Sequence, residues 1–112
     1  MSGQCKNNEK CVLKMEKLLS LIGSKWTLLV LRELAAGERR FSQIQKALEG
    51  ISPKTLSTRL QELENAGIIL RKVFAEVPPH VEYSLTQKGE ELRHILDSLF
   101  EWAARYKEQQ AD

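Results

Sequence analysis

Apolar residues recur at helical spacing in five stretches of this chain of 112 residues and at strand spacing in two. Val12, Met15, Leu18, Leu19 and Ile22 mark a first helix from Val12 to Ile22, which Gly23-Ser24 interrupts. Residues Trp26 to Ala36 form a second helix, ended by Gly37, whose Trp26, Leu28, Leu29, Val30, Leu31 and Leu34 point in most directions around its axis. A helix apolar on most sides belongs at the centre of the core. Arg39-Arg40-Phe41 reads as a short edge strand, after which Ser42 can cap a short helix through Leu48 with Ile44, Ala47 and Leu48 facing inward. Glu49-Gly50-Ile51 then turns the chain into the next helix.

That next helix has both ends marked. Ser52 can cap it, Pro53 suits its first position because the missing N–H would have no partner there, and Gly67 permits the left-handed turn that closes it. Leu56, Leu60 and Leu63 form one apolar stripe, while Lys54, Thr58, Gln61 and Asn65 project from the opposite side, flanked by Thr55, Ser57 and Glu62. Lys, Thr, Ser and Gln near a helix N-terminus can touch phosphates and base edges, and the positive end of the helix dipole favours phosphate too. On this segment alone an ordinary amphipathic surface helix competes with a recognition helix. The residues beyond Gly67 favour the second.

They begin with the β-branched and apolar run Ile68 to Val77, then Pro78-Pro79-His80, then Val81-Glu82-Tyr83-Ser84-Leu85 with period-two alternation. This predicts two strands joined by a tight turn at Pro78-Pro79-His80. A helix succeeded by a β-hairpin is the ending of a winged helix-turn-helix, in which the helix enters the major groove and the hairpin lies beside the duplex. The expected fold is therefore mainly α with a small β-hairpin (α+β), a winged helix-turn-helix in one domain over 1–112, with 1–11 as a flexible N-terminal arm.

Thr86 can cap a last long helix to about Tyr106, with a dimerisation segment over 87–107. Its apolar set, Leu92, Ile95, Leu96, Leu99, Phe100, Trp102, Ala103 and Tyr106, is wider than one small core needs. Either it folds back on its own chain, or the first and last helices together form the interface of a homodimer. The second arrangement matches a palindromic operator on double-stranded DNA.

Charge sharpens the picture by where it sits. The net charge is only +2, with 42% hydrophobic and 29% charged residues. Between Gly37 and Gln61, however, Arg39, Arg40, Lys46, Lys54 and Arg59 stand against Glu38 and Glu49, a net of +3, whereas Thr86 to Asp112 carries four cations and six carboxylates, a net of −2. The cations gather at the expected reader. No apolar run reaches the length of a membrane span and no secretory leader pattern opens the chain, so a cytoplasmic protein with no membrane partner is expected.

Four stretches carry a resemblance to a known family: Leu21 to Leu31 (Leu-Ile-Gly-Ser-Lys-Trp-Thr-Leu-Leu-Val-Leu), Arg40-Phe41-Ser42-Gln43-Ile44, Ile51 to Leu63, and Glu76 to Gly89. In this order they resemble the HxlR family of bacterial winged-helix transcription regulators, relatives of the MarR-type regulators, over nearly the whole chain after residue 12. The resemblance implies homodimers, DNA binding through the helix matching Pro53 to Ala66, a wing at Pro78 to Val81, and dimerisation through the terminal helices. On this reading Ser52, Lys54, Thr55, Ser57, Thr58, Arg59 and Gln61 approach the major groove, Arg39, Arg40 and Ser42 contact the backbone, and Lys72 and His80 act from the wing. His80 can equally sit solvated in the turn. The alternative function is a winged-helix protein-interaction module with no DNA contact, which calls for an acidic or apolar reader face.

The remaining chemistry is sparse. Cys5 and Cys11 form neither a Cys-x-x-Cys pair nor a zinc-ligand spacing, so no metal and no cofactor is expected. Cys11 lies between Lys10 and Lys14 at a helix start, where ammonium groups and the dipole favour the thiolate, on the face of Met15, Leu18 and Ile22. Members of the resembled family use an N-terminal cysteine, often with proline after it, to sense oxidants or electrophiles; here Val12 comes after Cys11. Cys11 is then either a redox sensor, with Cys5 as its resolving thiol, or an inert thiol beside a tail. An effector, small molecule or electrophile, belongs in a cleft between the terminal helices and the winged domain. His94 reads as an exposed surface residue, and the carboxylate pairs Glu62/Glu64 and Glu90/Glu91 lack any nucleophile or phosphate loop beside them. An enzyme is not expected.

Overall fold

The structure, a computed structural model, describes the backbone of residues 9–110 and the side chains of residues 15–106. Its elements run α1 (Glu9–Ile22), α2 (Lys25–Leu34), β1 (Arg39–Arg40), α3 (Phe41–Ala47), α4 (Pro53–Asn65), β2 (Ile69–Phe74), β3 (His80–Leu85) and α5 (Gln87–Gln110). Five helices and a small antiparallel sheet of order β1-β3-β2 reproduce the expected α+β winged helix-turn-helix order.

The central helix is α2, which meets α1, α3, α4, α5 and β3. It buries Thr27, Val30, Leu31 and Leu34, whereas Leu29 stays partly exposed, so it is central without being enclosed. Around it Ile44 and Leu48 of the α3 region, Ile51, the α4 stripe, Ile68, Ile69, Tyr83 and Leu96 complete one continuous core. The sheet offers it only one face: Ile69 and Tyr83 point inward, and their strand neighbours Leu70, Glu82 and Ser84 occupy the other face.

Several boundaries differ from the periodicity. Helix α1 begins at Glu9, so Glu9-Lys10-Cys11, expected in a flexible arm, are helical, and residues 1–8 with Cys5 lie outside the described residues. Helix α2 stops at Leu34, because the N–H groups of Ala36 and Gly37 turn to the i−3 carbonyls of Glu33 and Leu34 and Gly37 takes φ 131°. Ser42 does not cap α3. The Gln43 side-chain oxygen reaches back to accept the Arg40 N–H at 2.8 Å, which starts the helix at Phe41. Ala47, expected inside, is exposed, since α3 is short and turns Phe41, Ile44 and, just past its end, Leu48 toward the core.

Helix α5 resolves its broad apolar set into two stripes. Leu92, Leu96 and Phe100, four residues apart, lie against the core. Ile95, Leu99, Trp102 and Tyr106 are 65, 53, 52 and 46% exposed on another side, and on α1 Met15 and Leu19 are 51 and 55% exposed. Trp102 and Tyr106 pack against each other with ring centroids 4.9 Å apart. No helix of the described residues is long and apolar enough to cross a membrane.

Candidate nucleic-acid interface

Helix α4 is fixed at both ends by the residues that marked it. Ser52 adopts an extended backbone, and its Oγ accepts the Thr55 N–H at 3.0 Å while donating to Thr55 Oγ1 at 2.9 Å; Pro53 occupies the first turn. At the other end Gly67 takes φ 77°, and the Ile68 N–H bonds back to the Leu63 carbonyl at 3.0 Å, closing the helix with a six-to-one bond. Leu56, Leu60 and Leu63 are almost wholly buried. They pin the axis and leave Lys54, Ser57, Thr58, Gln61 and Asn65 exposed.

Two contacts order that outer row without covering it. Thr58 Oγ1 donates to the Lys54 carbonyl at 3.0 Å, and Gln61 Nε2 donates to Asn65 Oδ1 at 3.1 Å. Lys54 makes no ion pair among the described residues. The outer face of α4 thus presents the Lys54 ammonium near the positive end of the helix dipole, then the Ser57 and Thr58 hydroxyls, and the Gln61 amide in its second half. That set can donate to phosphate and read the donor and acceptor pattern of base edges.

The other expected site residues divide. Arg40 and Ser42 are exposed, and Arg40 makes no ion pair among the described residues. Arg39, expected on the DNA backbone, instead lies on the opposite side of its strand, with Nε 3.3 Å from Glu33 Oε2 and Nη1 donating to the Glu38 carbonyl. Arg59 sits on the flank of α4, paired with Glu62 at 2.6 Å and with a buried, unpartnered Nε, away from the Lys54 row. Ser52 and the half-buried Thr55 engage each other in the cap. Lys72 stands exposed on β2, its Nζ 5.3 Å from the Phe74 ring centroid.

His80 is not at a turn tip. The connection is a five-residue loop, Ala75 to Pro79, and His80 opens β3 opposite Phe74. Its ring stacks on Phe74 at 4.6 Å between Glu82 at 3.1 Å and Glu76 at 3.7 Å. An imidazole held by two carboxylates is poorly placed to meet a phosphate. Val77, 99% exposed, occupies the tip instead.

The sequence counts Lys46, an exposed cation on α3, toward the basic segment without giving it a contact, and does not single out Glu82, which pairs across the sheet with Arg40 on one side and Lys72 on the other. The alternation of β3 marks Glu82 as a partner of Lys72, but only the β1-β3-β2 order sets it beside Arg40 as well. An open groove of about 480 Å³ lies between α2 and the end of α3, walled by Trp26, Leu29, Arg32, Glu33, Leu48 and Glu49, charged as much as apolar.

Residues 21–111 match the HxlR-like helix-turn-helix family. The chain belongs to the HxlR family. A helix-turn-helix-type transcriptional regulator of Synechocystis is 43% identical over 100 residues, spanning 89% of this chain and 74% of that protein. A crystal structure described as a transcriptional regulator of the MarR family from Enterococcus faecalis superposes with a TM-score of 0.80 at 34% identity over 97% of both chains. The reduced form of the transcriptional regulator YodB from Bacillus subtilis gives 0.78 at 38% identity over 88% of this chain and 96% of that one. A diamide-treated YodB structure gives 0.73 at 39% identity, over 83% and 92%. This HxlR protein is a transcriptional regulator, built on the fold of its MarR-type neighbours. Its family and its relatives are regulators of transcription rather than enzymes.

Proposed function

We propose that this HxlR protein binds a palindromic operator in double-stranded DNA as a homodimer, with one α4 in each major-groove half-site. The observation that carries the reading is the outer row of α4: Lys54, Ser57, Thr58 and Gln61 are exposed and polar, and no acidic residue stands in the first turn of this helix, which Ser52 and Leu56 fix. Arg40, Ser42 and Lys46 approach the phosphates from the β1–α3 side, and Lys72 from the wing. In this account Arg39 and Arg59 serve as internal ion-pair partners and His80 as a hydrogen-bond partner of Glu82 rather than as DNA contacts. The exposed stripe of Ile95, Leu99, Trp102 and Tyr106, with Met15 and Leu19, supports dimerisation through the terminal helices, since burying it removes several large apolar side chains from water.

An electrophoretic shift with the DNA upstream of its own gene tests the reading. A retarded band that unlabelled operator displaces and scrambled duplex does not is expected; no shift at micromolar protein rejects it.

Oxidant or electrophile sensing by Cys11 extends the proposal. Cys11 lies within α1, its side chain outside the described residues, on the helix that carries Met15 and Leu19. The reduced and diamide-treated forms of YodB make thiol chemistry relevant in that neighbour. Diamide should release DNA from the wild type and not from Cys11→Ser. Equal behaviour of the two proteins removes Cys11 from the account.

A further inference from the structure

The first turn of α5 grips three successive carbonyls at the end of α4. Lys88 Nζ donates to the Ala66 carbonyl at 2.9 Å, Thr86 Oγ1 donates to the Gly67 carbonyl at 2.6 Å, and the Thr86 N–H donates to the Ile68 carbonyl at 3.1 Å. The same Thr86 hydroxyl accepts the Gly89 N–H at 3.0 Å, so one side chain caps α5 and holds the exit of α4. The Lys88 ammonium also meets the negative end of the α4 dipole. Gly89 makes the approach feasible, because a Cβ at that position would lie 2.1 Å from the Ile68 oxygen.

These contacts join two elements with different tasks. Helix α4 carries the Lys54–Thr58–Gln61 row, and α5 carries the exposed stripe from Ile95 to Tyr106. Helix ends left unsatisfied can pivot on water. Here α4 closes on its own Glu62, Leu63 and Glu64 carbonyls, and the C-cap carbonyl of Ala66 with the next two along the chain is tied to the start of α5.

We propose that Thr86, Lys88 and Gly89 are positioning residues that set the angle between α4 and α5 and thereby the separation of the two recognition helices in the dimer. The inference rests on the DNA-binding homodimer proposed above. A dimer reads half-sites about one helical turn, roughly 34 Å, apart, so a loose α4–α5 angle relaxes the spacing it accepts. The contribution is to register and not to phosphate attraction, since none of the three residues lies on the outer row of α4.

The test compares wild type, Thr86→Val/Lys88→Met and Thr86→Ser in two readouts. The first is the spin-label distance within one chain between Ser57→Cys and Glu101→Cys, in a Cys5→Ser, Cys11→Ser background diluted with unlabelled protein. The second, on unlabelled protein, is affinity for duplexes whose half-site spacing is changed one base pair at a time. The double variant should broaden the distance distribution and flatten a preference of about tenfold for the best spacing to within about threefold, while Thr86→Ser keeps both at wild-type values. An unbroadened distribution in the double variant overturns the joint, whatever happens on DNA. A uniform affinity loss at every spacing overturns it too, leaving these residues a merely structural part. Wild type that binds no duplex overturns the DNA-binding reading itself, a result the distance readout tells apart.

Discussion

Arg39 Nε lies 3.3 Å from Glu33 Oε2, tying strand β1 to the central helix α2. Successive strand residues face opposite ways, so this contact sends Arg40 to the other side of β1, exposed and aligned with Glu82. The two adjacent arginines therefore separate into one structural and one available cation. Arg40→Ala should weaken operator binding and reduce its salt dependence, by about 0.9 for each phosphate no longer neutralised or roughly 2 for the dimer. Arg39→Ala should leave that slope unchanged and lower stability by at most about 1 kcal/mol, because the pair is partly exposed. Affinity measured by fluorescence anisotropy across a salt series separates the two variants.

Ser52→Ala removes the oxygen that accepts the Thr55 N–H at 3.0 Å. A loss of about 1 kcal/mol is expected, with Ser52→Gly costing only a few tenths because an extended glycine leaves that N–H open to water. Thermal or urea unfolding checks both. A Ser52→Ala variant as stable as wild type would mean that the cap hydrogen bond contributes nothing.

The apolar stripe and the outer row of α4 should respond in opposite ways. Leu60→Ala, at a position 2% exposed, should cost about 2 to 5 kcal/mol in unfolding free energy. Gln61→Ala, one residue on and exposed, should stay within about 0.5 kcal/mol of wild type while changing discrimination between operator and altered base pairs. Urea unfolding and competition binding on the same preparations read both effects.

Leu99→Glu places a charge in the centre of the exposed stripe, 53% exposed in the single chain. Sedimentation equilibrium should show a dimer for the wild type and a monomer for the variant, with helical content retained. A variant that remains dimeric would move the interface away from α5.

Much of the fold was legible in the sequence because local chemistry carried it. Ser52-Pro53 and Gly67 bounded α4, Thr86 capped α5, and the spacing of Leu56, Leu60 and Leu63 named the buried face. The features that escaped depended on contacts between distant segments. Arg39 and Arg40 look equivalent until Glu33 claims one of them. His80 reads as a turn residue until the Phe74 pairing draws it into β3 between two carboxylates. Gln43 reaching back to Arg40 displaced the expected Ser42 cap, a local event that the stronger capping preference of serine hid. Nothing about Lys88 or Gly89 in sequence points to the end of α4, since both act on carbonyls some twenty residues earlier.

The central claim is that the Lys54 row of α4 engages DNA, and salt dependence tests it most directly. Operator affinity should be measured from low to physiological salt for wild type and Lys54→Ala. The logarithm of wild-type affinity should fall steeply and linearly with the logarithm of salt concentration, and Lys54→Ala should give a slope shallower by roughly 2 for the dimer. An affinity independent of salt, or a Lys54→Ala slope equal to wild type, would contradict the account.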